Sequence, residues 1–192
     1  MQGFETVYDE HVWDVYGFFG YRVRTREEAE DLTQTTFERA LRAWDRFDPK
    51  RAAAKTWILV IARNVLIDHY RRSGTRREEP LSDEHLVGGL GRHEPYEEMG
   101  EAGLGPAPEL ADALGQLGAR EREVIALRFG GDLAGAEIAE ITGLSLANVQ
   151  QILSRSLRGM RQRIEEREAD VVGSGAERPD TGDAGGRERE QR

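Results

Sequence analysis

At 192 residues, with 38% hydrophobic and 33% charged side chains, the chain is too polar for one large core but suits small helical bundles joined by flexible segments. It has no cysteine, which excludes disulfides and thiolate metal sites and is compatible with a reducing cytosol. No run approaches about 18 apolar residues, and the acidic start (Glu5, Asp9, Glu10) lacks the basic-then-apolar layout of a secretion signal, so a cytoplasmic protein is expected.

A net charge of −9 argues against DNA binding until its distribution is read. Residues 1–79 hold 14 basic and 14 acidic side chains, and residues 110–167 hold 8 of each. The acidic excess sits in 80–109 and 168–192. Four zones follow: a helical module over 1–77, a Pro- and Gly-rich acidic linker over 78–108, a second helical module over 109–167, and a disordered tail over 168–192. The predicted architecture is all-α, two small helical domains on a flexible acidic tether. Basic clusters inside neutral modules remain able to hold phosphates.

In the first module a helix is expected over 4–19, with Phe4, Val7, Tyr8, His11, Val12, Val15 and Phe19 as its apolar stripe. Thr25 with Glu28 three residues on forms a capping box that opens a second helix, running to about Arg46. Its buried face is predicted as Ala29, Leu32, Thr36, Phe37, Ala40, Leu41 and Trp44. Asp31, Gln34 and Glu38 form a polar stripe on the other face, either plain solvated surface or a docking face for a partner protein. Phe47-Asp48-Pro49 ends the helix, and a basic loop, 50–55, leads into a third over 56–72. That third helix is apolar nearly all round, which marks the centre of a bundle. Its polar positions include Arg63, Asn64, Asp68, Arg71 and Arg72. Asn64, Asp68 and Arg71 or Arg72 share a face, either as an Asp68–Arg72 pair with a dipole-satisfying basic end, or as a phosphate track continued by Arg76 and Arg77. Trp57 is a core residue or, with Phe47 beside it, a wall for an unstacked base.

The second module opens with a short helix carrying Leu110, Ala113, Leu114 and Leu117, then an apolar-periodic segment over 120–129. Residues 135–145 read as a helix, a turn at Gly143, an inward Leu144 and an N-cap at Ser145, which is a helix-turn-helix pattern. The helix after it, 146–164, is predicted to bury Val149, Leu153, Leu157 and Met160. It would expose Asn148, Gln150, Gln151 and Ser154 toward base edges, and Arg155, Arg158 and Arg161 toward phosphates. The alternative is an ordinary helical hairpin. The four histidines are scattered, metal-ligand spacing is absent, and Gly88-Gly89-Leu90-Gly91 lacks the Lys-Ser/Thr of a phosphate loop. No enzyme, metal site or cofactor is expected.

These segments, in this order, resemble the extracytoplasmic-function (ECF) family of bacterial RNA polymerase sigma factors. Glu28-Ala29-Glu30-Asp31-Leu32-Thr33-Gln34-Thr35-Thr36-Phe37 is similar to the family's core-binding helix. Thr56-Trp57-Ile58 through Ile61-Ala62-Arg63-Asn64 to Arg71-Arg72 is similar to its promoter-melting helix. Leu117, 120–124, Leu127-Arg128 and the helix-turn-helix resemble its −35-reading domain. The resemblance implies a region 2-like bundle and a region 4-like domain. Asp31, Gln34 and Glu38 would then bind core RNA polymerase. Phe47, Lys55, Trp57, Arg63, Asn64, Asp68, Arg71 and Arg72 would capture the single-stranded −10 element, where extruding bases costs a few kcal/mol. Ser145, Asn148, Gln150, Gln151, Ser154, Arg155 and Arg158 would read the double-stranded −35 element. The linker would run toward the polymerase active site, and an anti-sigma protein is an expected partner. The family's recognition helix usually carries basic residues where this chain has Gln150 and Ile152, which implies weaker −35 phosphate contact. Two further readings stand beside this one: a stand-alone helix-turn-helix regulator, and a decoy that binds polymerase or an anti-sigma protein without reading DNA.

Overall fold

The computed structural model describes residues 3–72 and 108–174; the linker, its neighbours Arg76 and Arg77, and the tail beyond 174 lie outside the described residues. The described residues are helical, in the order α1 (Phe4–Gly20), α2 (Arg26–Ala43), a 3-10 turn (Trp44–Arg46), α3 (Ala54–Arg72), α4 (Pro108–Gly115), α5 (Ala119–Ile125), a π turn (Ala126–Gly130), α6 (Gly135–Thr142) and α7 (Leu146–Ser174).

α1, α2 and α3 pack on one another as a three-helix bundle. The capping box of α2 forms as the sequence requires. The Thr25 hydroxyl accepts from the Glu28 N–H at 3.2 Å, and the Glu28 carboxylate accepts back from the Thr25 N–H at 3.4 Å. Val7, Val15, Phe18, Phe19, Ala29, Phe37, Ala40, Ile58, Leu59, Ala62 and Leu66 fill the bundle. Side chains of the Phe, Ile and Leu kind contribute about 1.5–3 kcal/mol each on full burial. Three details depart from the periodicity. Phe18 and Tyr16 are buried although the predicted stripe of α1 omitted them. Tyr8 is exposed although that stripe included it, and Leu41, expected inside, is 57% exposed. The second helix ends at Ala43 and tightens into a 3-10 turn, where the Phe47 N–H reaches the Trp44 carbonyl. An Asx turn follows, with the Asp48 carboxylate accepting from the Lys50 N–H at 2.9 Å.

The helix-turn-helix forms where the sequence placed it. Gly143 has φ +72, the left-handed conformation that lets α6 stop and the chain turn. The Ser145 hydroxyl then accepts from the Asn148 N–H at 3.2 Å and caps α7. Val149 and Met160 are buried as predicted, but Leu157 is 43% exposed, and Ser156 takes an inward position instead. α7 continues to Ser174, beyond the expected end and into the segment read as tail. The Arg167 guanidinium holds it to Asp112 of α4.

The two modules do not merely hang on a tether. One apolar cluster runs from α1 and α3 into the second module through Val124, Ala126, Leu127, Leu133, Ile138 and Val149. A smaller cluster of Ala113, Leu114, Leu117, Ile125 and Met160 belongs to the second module, with Tyr21 of the first packed against it. At the seam the backbones nearly touch: a Cβ on Gly17 would lie 2.6 Å from the Gly130 carbonyl oxygen. The π turn supplies that close surface, and Gly131 lies under Leu59 of α3.

Candidate functional site: a partner face and two nucleic-acid faces

The predicted docking residues on α2 are exposed together. Asp31, Gln34 and Glu38 all face solvent, and the Gln34 amide donates to Glu38 at 3.1 Å. The sequence reading missed what lies beside them. A groove of about 580 Å³ runs between α1 and α2, and Tyr8, Trp13, Phe37, Leu41, Gln34 and Glu38 are among the side chains lining it. Trp13 is 63% exposed there. The signal was available: Trp13 sits off the predicted stripe of α1, and a large apolar side chain on a polar face is worth explaining.

The residues predicted on α3 and at Phe47 divide into three groups. Phe47 and Trp57 join an aromatic cluster with Trp44, in which the Trp44 and Phe47 rings stack 5.0 Å apart and Trp57 leans on Phe47 at 4.9 Å. Phe4 of α1 closes the cluster against Trp44. Trp44 was read as ordinary core and Phe4 as stripe; their role in building this wall was not seen. Asn64, Arg71 and Arg72 stand exposed on the outer face, with Asp68 half-buried among them. The Asp68 carboxylate accepts from Arg39 of α2 at 2.8 Å, so the partner of Asp68 is not the Arg72 suggested by helix spacing. That hydrogen bond, helped by the charges of Arg39, Arg72 and Arg71, holds the Asp68 carboxyl below its ordinary range. A cross-helix arginine has no signature in single-chain periodicity, which is why Arg39 was missed.

Lys55 and Arg63 form the third group, together with Thr56 and Leu59. Lys55, Leu59 and Arg63 are spaced four residues apart, and with Thr56 they face the second module. Lys55 sits between Asp14 at 3.3 Å and Asp132 at 3.2 Å. The Thr56 hydroxyl donates to Glu137 at 3.2 Å, and Arg63 pairs with Glu123 at 2.7 Å. These two predicted DNA-contacting cations are therefore set apart from the outer Asn64–Arg72 face.

On α7, Asn148, Gln150, Gln151, Ser154, Arg155 and Arg158 are exposed on one helix, and Ser145 caps its start. Amides and hydroxyls at the N-terminal end followed by arginines is the order that suits base edges first and phosphates second. Among the described residues no group of three or more His, Cys, Asp or Glu side chains is placed to hold a metal ion, and no helix is long and apolar enough to cross a membrane.

Comparison with known proteins places the chain in a family. Residues 7–76 match Sigma-70 region 2, and residues 113–162 match Sigma-70, region 4. The chain is 32% identical over 155 residues to the ECF RNA polymerase sigma factor BldN of Streptomyces coelicolor, covering 81% of this chain and 58% of that protein. It is 30% identical over 178 residues to the ECF RNA polymerase sigma factor SigX of Bacillus subtilis, covering 84% of each. The fold is similar to that of the sigma factor RpoE from Bartonella quintana, solved in complex with the anti-sigma factor NepR, at 22% identity and a TM-score of 0.62 over 84% of this chain and 96% of that one. With both regions matched in order and such relatives spanning most of its length, the chain belongs to the ECF family of RNA polymerase sigma factors, the subunits that direct polymerase to promoters.

Proposed function

We propose that this sigma factor divides its work among the three faces just described. The α2 face, Asp31, Gln34 and Glu38, docks on core RNA polymerase. The outer face of α3, with Asn64, Asp68, Arg71 and Arg72, tracks the backbone of the single-stranded −10 element, and the Phe47–Trp57 aromatic wall receives an unstacked base. Lys55 and Arg63 add phosphate contacts once they face DNA. The α7 residues Ser145, Asn148, Gln150, Gln151, Ser154, Arg155 and Arg158 read the −35 element in the major groove. The protein acts as a targeting subunit and not as a catalyst, in the cytoplasm where polymerase works. An anti-sigma protein is its proposed regulator, as in the complex of the Bartonella quintana relative. The domain limits that go with this division are 1–77, 78–108 and 109–167, with α7 carrying on into the segment from 168.

What supports this reading is that one chain carries a helix-turn-helix, an exposed polar face on α2 and an exposed Asn64–Arg72 face beside an aromatic wall, whereas a stand-alone regulator needs only the helix-turn-helix. The test is transcription of fragmented genomic DNA by core polymerase with and without the protein, with RNA 5′ ends mapped. New starts that share −35 and −10 sequences are expected. Co-elution with polymerase without new starts would instead identify a decoy. Asp31→Ala with Gln34→Ala should abolish co-elution and leave duplex binding by α7 unchanged.

A further inference from the structure

We infer that Gln151 sets the identity of one base in the −35 element of this sigma factor, and that the base is adenine, held through its N6 and N7 atoms. The placing of α7 in the major groove rests on the proposed function. The choice of side chain and of base rests on the structure.

The burial of α7 fixes its outward line. Val149, Ser156 and Met160 are buried along one side of the helix. At about 3.6 residues per turn, the opposite line passes through Ala147, Gln151, Ser154 and Arg158, and all four are exposed. Ala147 ends in a methyl group, and the Ser145 hydroxyl before it is engaged by the Asn148 N–H. Gln151 is thus the first side chain on that line long enough to set a polar group against a base edge. Asn148 and Gln150 stand exposed on its two flanks.

The chemistry of these first turns selects the base. In the major groove a guanidinium or ammonium matches guanine, a carboxylate matches the amino group of cytosine, and a glutamine or asparagine amide matches adenine. From Leu146 to Ser154, α7 carries no basic and no acidic side chain; its first arginine is Arg155. An amide presents a donor and an acceptor side by side, which is what adenine N7 and N6 require. Arg155 and Arg158 lie further along and suit the phosphate backbone, whose contacts fix register but carry no sequence information.

The amide is also left available for a ligand. Gln34 and Gln162 each donate to a glutamate one turn on, Glu38 at 3.1 Å and Glu166 at 2.9 Å. One turn on from Gln151 stands Arg155, and no carboxylate occurs anywhere between Leu146 and Ile164. Among the described residues, none takes up the Gln151 amide.

In the test, core polymerase carrying the full chain is offered promoters randomised through the −35 element, and the sequences that initiate are read. The unsubstituted chain should enrich A·T at one position. Gln151→Ala should flatten that position alone, and Gln151→Arg should turn it to G·C. Placing 7-deazaadenine there removes the N7 acceptor. Initiation should then fall about fivefold for the unsubstituted chain, the lower end of what a bidentate base contact discriminates, and should not fall for Gln151→Ala. Gln151 is exposed, so neither substitution should move the melting curve. No response of any position to Gln151→Ala, enrichment of G·C at the position that does respond, or an equal 7-deazaadenine loss in both proteins would each overturn the inference while initiation continued. Failure of every form to initiate would instead sink the sigma reading. Gel shifts of the full chain on the same duplex pool, without polymerase, would then decide the base assignment: a selected A·T position lost in Gln151→Ala upholds it, and its absence overturns it.

Discussion

The first module packs three long helices on one another, whereas the second has shorter helices and completes much of its core against its neighbour. Phe18, Phe19, Ile58 and Ala62 of α1 and α3 are fully buried. In the second module the cluster belonging mainly to itself comprises Ala113, Leu114, Leu117, Ile125 and Met160, whereas Leu127, Leu133 and Ile138 lie in the cluster shared with α1 and α3. A domain of about 60 residues buries only about 60% of the surface its unfolded chain exposes, so little is left over for independent stability. The difference teaches that a small helical module can complete its core by resting on a larger neighbour.

The sharpest way to break this comparison is to cut each core in turn. Phe18→Ala should cost about 3–5 kcal/mol and unfold the whole described chain at lower urea, because the second module loses its platform as well. Leu114→Ala should cost about 2–5 kcal/mol, but hydrogen exchange should show protection lost in α4, α5 and α7 and kept in α1–α3. Equal loss in both modules after Leu114→Ala would mean that they fold as one unit.

A smaller effect separates the modules by their turns. The second module depends on the left-handed Gly143 between α6 and α7. Gly143→Val should cost about 1–2 kcal/mol and misalign α7, so duplex DNA binding should weaken while the first module's melting stays unchanged. Nothing lies within 4 Å of a Cβ at this position, so the penalty is conformational and not steric crowding.

Helix caps give a still finer contrast. The Thr25–Glu28 box of α2 is complete, so Thr25→Ala should cost about 1 kcal/mol. At α6 the Glu137 carboxylate accepts from the Ala134 N–H at 2.8 Å, but alanine returns no hydroxyl. Ala134→Ser should complete that box and stabilise the second module by about 0.5–1 kcal/mol, read as a rise in its melting temperature. Neither change should move the other module.

What the sequence revealed follows from what kind of physics wrote it there. The Thr25 and Ser145 caps, the Gly143 turn and the exposed faces of α2 and α7 rest on interactions within four residues, which spacing displays directly. Both modules were legible for that reason. Leu157 and Leu41 were misplaced because apolar periodicity assumes that every apolar position on a stripe finds cover, and at these two no neighbouring helix arrives. The Arg39–Asp68 pair and the seam at Gly17 and Gly130 join residues 29 or more positions apart. No local pattern encodes them, and the backbone approach at the seam leaves only two glycines as its trace.

The outer face of α3 offers the smallest and most selective test. Asp68 is held ionised chiefly by its hydrogen bond from Arg39, so its folded-state pKa lies below the ordinary carboxylate value of 3.8. The sign follows from linkage: a depressed pKa means that the folded state binds the proton less readily than the unfolded chain. The stabilisation from Asp68 is therefore fully present above the ordinary carboxylate range and is lost as pH falls through the folded-state value. Melting curves taken from pH 6 down to about 3 should show a decline that Asp68→Asn flattens, because asparagine cannot titrate. Hydrogen exchange should place that decline at the α2–α3 contact and not in α6 and α7, which Asp68 does not touch. A decline of the same size in the Asp68→Asn protein would show that other carboxylates dominate and that the Arg39–Asp68 pair adds little to the first module. Both side chains are about one-third exposed, so solvent screening keeps the effect small, and the same openness leaves Arg71 and Arg72 beside them accessible to a phosphate backbone.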